Sequence, residues 1–272
     1  NGNLQGSGEW QLADGRWQLM AQARDGLMEG KWWLAVFPGI CITMLVLSLA
    51  ANTAARADGF GINATRLIYP QGEPSISVTL RNTQVEKPWL VRALVSLAQD
   101  TPVKAPFMVT PPLFRLEAQS TNQVRIAFLD QPLPTDRESV FYFYTTAIPA
   151  SEKPGELVAA SGIKGMVQFG VGNIIKLFYR PTGLTGSSTE AQKNLHFERR
   201  EHGLEISNPS AFFVSLNNVT VNGESLPLSS PEQRMLAPYS SHVWAVQKPY
   251  GEVLWTTIND YGGFDAHRAE LH

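Results

Sequence analysis

The side chains able to do chemistry in this 272-residue chain are few and dispersed. Its five histidines, His196, His202, His242, His267 and His272, are scattered over the second half without a ligand spacing. A metal centre needs such residues to converge, and these read as surface or singly bonded side chains. Cys41 is the only cysteine, so neither an internal disulfide nor a multi-cysteine metal site is available. The sequence holds no G-x-S-x-G, no H-E-x-x-H and no phosphate-binding glycine loop. Gly170-Val171-Gly172 lacks the third glycine of a nucleotide loop and lies inside an alternating run. Asp136-Arg137-Glu138 suggests paired acids, but neighbouring strand residues alternate faces, and Glu138 reads as a structural ion-pair partner. Nothing sets a nucleophile beside a base. The expectation is a protein with no catalytic residues, no metal and no cofactor.

One run has a pattern suited to binding. Across 163–175 the odd positions Ile163, Val167, Phe169, Val171 and Ile175 are apolar. The even positions, Lys164, Gln168, Gly170, Gly172 and Lys176 among them, are mostly polar or small. A strand alternates faces, so one face projects Val167, Phe169 and Val171 together. Burying each contributes about 1.5–3 kcal/mol. Periodicity alone leaves two destinations open: a partner's groove or the chain's own core.

The elements that carry this run are strands. Strand-like segments fall at 60–69, 75–81, 89–97, 107–110, 123–129, 139–147 and 163–179, separated by turn residues, and no window shows a helical stripe. Seven such runs in succession indicate an immunoglobulin-type sandwich. The stretch 181–190 reads as a linker of little apolar content. Beyond it come further strands at 194–198, 203–207, 211–221, 241–246 and 253–258, with Asn222-Gly223 a strong hairpin turn. The expected fold is all-β, two sandwiches with a hinge near 181–190 and no internal repeat.

Composition limits the partners. Charged residues are 17% of the chain and the net charge is −2, without a basic run. That excludes the electrostatic footprint of a nucleic-acid binder. The 43% hydrophobic content excludes disorder. Near the N-terminus, Lys31 precedes an apolar run from Trp32 to Ala51, followed by Ala55-Arg56-Ala57. This is the layout of a secretory signal peptide at about 28–57, cleaved after Ala57. An uncleaved membrane anchor is the alternative, against which stand the cleavage pattern and the Pro38-Gly39 break. Residues 1–27 read as extraneous. The segment from 58 onward has no cysteine, so packing must stabilise it in an oxidising compartment.

Five motifs then occur in order: Ala64-Thr65-Arg66-Leu67-Ile68-Tyr69-Pro70, Val109-Thr110-Pro111-Pro112-Leu113-Phe114-Arg115-Leu116, Leu133-Pro134-Thr135-Asp136-Arg137-Glu138-Ser139, Ile175-Lys176-Leu177-Phe178-Tyr179-Arg180-Pro181 and Ile258-Asn259-Asp260-Tyr261-Gly262-Gly263. Through them 58–272 resembles the periplasmic pilus-assembly chaperones, the PapD/FimC-like family of the chaperone–usher pathway. The resemblance implies two immunoglobulin-like domains, 58–182 and 183–272, in a boomerang arrangement behind the signal peptide. It implies a periplasmic chaperone that binds, folds and caps pilus subunits by donor-strand complementation, without ATP, and delivers them to an outer-membrane usher. By the same resemblance Arg66 and Lys176 anchor the subunit's C-terminal carboxylate, and Val167, Phe169 and Val171 fill its open groove. Glu138, Arg180 and Asp260 form an interdomain salt-bridge set. The competing reading is a secreted β-sandwich adhesin or pilus subunit. A subunit needs a donor extension, whereas Asp58-Gly59-Phe60-Gly61 leads straight into the first strand.

Overall fold

The computed structural model describes residues 10–13, 16–19, 59–149, 170–201, 203–247 and 249–271. The chain divides into two compact units, 1–56 and 57–272. In the first, β1 (Trp10–Ala13) pairs antiparallel with β2 (Arg16–Leu19). The expected signal peptide lies outside the described residues, as does 150–169, which includes Val167 and Phe169.

The second unit holds two sandwiches. In the first sandwich, one sheet runs β3 (Phe60–Ile62), β5 (Ile76–Asn82), β9 (Ser120–Phe128), β7 (Phe107–Thr110). The facing sheet runs β4 (Arg66–Pro70), β11 (Val171–Arg180), β10 (Ser139–Pro149), β6 (Trp89–Ser96), β8 (Leu113–Leu116). Alternation does the sorting: Phe141, Phe143 and Ala147 of β10 point inward and are buried. Phe107 packs edge-on to Tyr69 and Phe141, with ring centroids 5.5 and 4.9 Å apart. The stretch 60–69, one strand by its pattern, is two. It leaves the first sheet after Ile62 and enters the second at Arg66, where it runs parallel to β11 with Arg66 opposite Lys176.

The second sandwich packs β12 (His196–Arg200), β13 (Gly203–Asn208) and β17 (Ser240–Trp244) against β15 (Glu224–Ser225), β14 (Val214–Val221), β18 (Gly251–Ile258) and β19 (Phe264–Leu271), with β16 (Met235–Leu236) beside β14. Trp244, Leu204 and Ile206 are the centre of its core. Asn222 and Gly223 both take positive φ, as the hairpin turn requires.

Several features depart from the sequence reading. The linker 181–190 runs into a helix, α1 (Ser188–Lys193), whose N-cap Ser187 accepts from the Glu190 amide. Six residues are too few for an apolar stripe, but Ser187-x-x-Glu190 is a helix-start signature that was available. Strands β8 and β19 are among those not anticipated. The first is four residues long behind two prolines. The second is a sheet edge with exposed Phe264 and partly buried Asp265 and His267, so residue type does not follow the alternation.

There is also an internal repeat, in geometry more than in letters. Asn82 ends β5 and Asn208 ends β13, and both are almost fully buried. The Asn82 amide donates to the carbonyls of Lys87, Leu116 and Glu117 at 2.8, 3.4 and 3.0 Å. The Asn208 amide donates to Phe212, Leu236 and Ala237 at 2.7, 3.4 and 3.0 Å. Ser120 Oγ then donates to Glu117 O and Ser240 Oγ to Ala237 O, at 2.7 and 2.8 Å. Gln119 and Tyr239, the residues before those serines, share a left-handed backbone with φ of 51° and 56°. Only Leu-x-x-x-Ser is common to 116–120 and 236–240, too little to detect by eye.

Removing such an amide leaves buried carbonyls without donors, at about 1–3 kcal/mol for each unsatisfied group. Asn82→Ala and Asn208→Ala should each destabilise their own sandwich by about 2–4 kcal/mol. Denaturant unfolding followed separately through each sandwich checks this, and a loss below about 0.5 kcal/mol would show the latch to be dispensable.

Candidate functional site

The sheet switch at residues 63–65 builds the site. It places Arg66 at the start of β4, side by side with Lys176 of β11, so two cations sit on one strip of sheet. Arg66 is half-buried. Its Nη1 donates to Ile258 O of the second sandwich at 2.7 Å, and its guanidinium lies 5.7 Å from the Phe178 ring centroid. Its Nε is buried and has no hydrogen-bond partner among the described residues. Lys176 is also half-buried. Among the described residues neither side chain forms an ion pair. Burial, followed by the positive charges of Arg66 and Arg234, pushes the Lys176 ammonium down to about 8. Burial likewise lowers Arg66, although Asp260 and Glu138 work against it.

The nearby acids do not neutralise this pair because they are committed elsewhere. Arg180, at the end of β11, donates Nε to Glu138 Oε1 at 2.6 Å. Its Nη1 and Nη2 grip both oxygens of Asp260, at 2.8 and 3.1 Å. Such a fork is the strong geometry for guanidinium and carboxylate. Glu138, only 3% exposed, also accepts from the Phe213 amide of the second sandwich at 2.9 Å. Burial raises its carboxyl despite Arg180. Burial also opposes ionisation of Asp260, yet the hydrogen bond from Arg180 leads a set of contacts that holds it below the usual range. The structure thus brings Glu138, Arg180 and Asp260 together. Asp136, two residues before Glu138, is instead exposed and paired to Arg137.

Several participants were missed from sequence. Ser188 Oγ donates to Asp260 Oδ2 at 2.8 Å, from within what read as linker. The Ile258 carbonyl and Phe213 amide are backbone groups, which residue type cannot reveal. Phe178 is buried where its ring meets Phe213 across the sandwiches, at 5.6 Å. Gly262 has φ of +84°, and a Cβ there would collide with Thr65 Oγ1. The Gly262-Gly263 pair was the available signal for that close approach.

The apolar run divides. Ile175 packs on the first sandwich's core, and Leu177 and Tyr179 are inside it. Val171, on the same face, is 42% exposed. Own-core packing therefore applies to the C-terminal part of the face and not to Val171. β11 pairs with β10 along Val171–Tyr179 but with β4 only from Lys176 onward. Among the described strands, 171–175 is an open sheet edge.

Comparison with known proteins follows this geometry. A family model described as "Pili and flagellar-assembly chaperone, PapD N-terminal domain" matches residues 59–185. A second, "Pili assembly chaperone PapD, C-terminal domain", matches residues 190–269. The probable fimbrial chaperone protein ElfD of Escherichia coli O157:H7 is 32% identical over 225 residues, 82% of this chain and 91% of the relative. Chaperone protein LpfB of Salmonella typhimurium is 33% identical over 229 residues, 82% and 93% of the two chains. The crystal structure of the E. coli chaperone DraB is similar with a TM-score of 0.65 at 33% identity, covering 79% of this chain and 97% of that one. The SafB chaperone of Salmonella enterica, solved with the SafA pilin, gives 0.65 at 29% identity, with 80% and 99% covered.

A lysine lowered from 10.5 to about 8 is bound more weakly by its proton in the folded state than in the unfolded one. Its charge therefore costs stability in full below pH 8, and the cost fades as pH rises from 8 towards 10.5. Lys176→Met should stabilise the free protein at pH 7 by about 2–3 kcal/mol, with the advantage shrinking above pH 8. Thermal melts across pH 6–10 test this; a gap independent of pH, or a less stable variant at pH 7, contradicts it.

Proposed function

The chain belongs to the PapD family of pilus-assembly chaperones, and we propose that it captures a pilus subunit by the C-terminus on Arg66 and Lys176 and by a groove along β11. The observation that carries this reading is the buried Arg66 Nε, a donor without an acceptor, beside a half-buried lysine without an anion. A carboxylate supplies both needs. Charge-assisted hydrogen bonds to it contribute roughly 1.5–3 kcal/mol each.

From that anchor the captured chain runs along the open edge at 171–175, adding a strand to the sheet through main-chain hydrogen bonds. Val171 then projects into the subunit, continued N-terminally by Phe169 and Val167, and these side chains replace the strand that an incomplete sandwich lacks. Glu138, Arg180 and Asp260 hold the two sandwiches, 58–182 and 183–272, so that Arg66 and Lys176 face a formed cleft. The capped subunit is passed to an outer-membrane usher. The protein works in the periplasm as a binding protein, after secretion and removal of a signal peptide at Ala57. Family membership favours this reading over that of an adhesin or pilus subunit.

Arg66→Ala and Lys176→Ala should each leave both sandwiches folded and lower co-purification of subunit from a periplasmic extract by at least about tenfold, the equivalent of one lost charge-assisted bond. Subunit recovered at wild-type yield with either variant would remove the anchor from the mechanism.

A further inference from the structure

A one-turn helix on the second sandwich holds another cation at the border of this cleft. α2 (Pro231–Arg234) has four residues, none of them buried. A single turn has too few hydrogen bonds to form unaided. It is fixed by a complete capping box between Ser230 and Gln233, with Pro231 at the first position. This pins its last residue, Arg234, whose Nε donates to Leu228 O at 2.6 Å. Arg234 is exposed and, among the described residues, has no acid partner.

Strand register places it. Met235 follows Arg234 and pairs with Ser215 of β14. On its other side β14 pairs with β18, where Leu216 faces Thr257, the neighbour of Ile258. The carbonyl held by Arg66 therefore lies two strands from α2, about 10 Å at the usual strand spacing. Phe213, two residues before Ser215, meets Phe178, two residues after Lys176. The repulsion that Lys176 feels from Arg234 agrees with this placement. Arg66, Lys176 and Arg234 thus come from three elements, while Glu138 and Asp260 are both bound to Arg180. One terminal carboxylate leaves this cluster with surplus positive charge.

We propose that Arg234 recognises a second negative charge on the captured chain, an acidic side chain close to its C-terminal carboxylate, and so biases which subunits are accepted. This rests on the carboxylate anchor described above. It adds a selectivity that Arg66 and Lys176 alone do not supply.

The test uses two synthetic strand-forming peptides that differ only in Asp or Asn at the penultimate position, each as free acid and as C-terminal amide. The wild-type protein should bind the Asp peptide about fivefold more tightly than the Asn peptide, in the range of a partly exposed ion pair. Arg234→Gln should abolish that preference while still favouring free acid over amide. Equal binding of Asp and Asn peptides by the wild type, or a preference that survives in Arg234→Gln, overturns the proposal. Indifference to amidation would instead overturn the anchor. A second readout needs no peptide: side-chain amine NMR should show the Lys176 pKa rising in Arg234→Gln, and an unchanged value places Arg234 too far away and overturns the proposal.

Discussion

A single guanidinium, that of Arg180, is shared between a carboxylate of the first sandwich and one of the second. Taking charges out of water costs several kcal/mol per ion unless pairing and further hydrogen bonds compensate. Arg180 meets that condition with three donated bonds, Glu138 with the Phe213 amide, and Asp260 with the Ser188 hydroxyl. Each satisfied bond crosses between segments that are distant in sequence. The arrangement also decides the electrostatics beside it. With both acids on Arg180, Arg66 and Lys176 keep unbalanced charge, and on this the proposed anion site rests.

The proposed working part of the molecule carries unmet polar groups of its own. Arg66 keeps a buried donor without an acceptor, and Lys176 holds a proton weakly. Both are costs to the free protein that the proposed carboxylate would remove. Elsewhere the fold rests on two aromatic and aliphatic cores and the same asparagine–serine latch in each sandwich. Stability supplied by those cores and latches can tolerate an unsatisfied cleft.

Much of the fold was legible because alternation records burial directly. β5, β6 and β10 were read within a residue or two, and Asn222-Gly223 identified its hairpin. Other features escaped because the deciding forces are not local. Nothing in the alternation of 60–69 marks the change of sheet after Ile62, yet that change is what puts Arg66 beside Lys176. Helix α1 was hidden by its length, although Ser187 and Glu190 signalled its start. The grouping of residues 138, 180 and 260 has no periodic signature at all. It came from resemblance to a family, and the structure supplies its physical content. Backbone partners such as Ile258 O carry no sequence signal, and the repeat around Asn82 and Asn208 survives in geometry with only Leu and Ser in common.

The claim at the centre is that the Arg180 pairing orders the cleft. Asp260→Asn removes one charge from it while keeping the size of the side chain. Small-angle scattering of the free variant, compared with wild type at low and high salt, reads the spread of domain orientations directly, and separate melts report each sandwich. The expected result is a broader distribution of orientations in Asp260→Asn, unchanged melting of both sandwiches, and weaker capture of subunit. Scattering and capture identical to wild type would contradict it, leaving Glu138, Arg180 and Asp260 as a contact without consequence for the cleft.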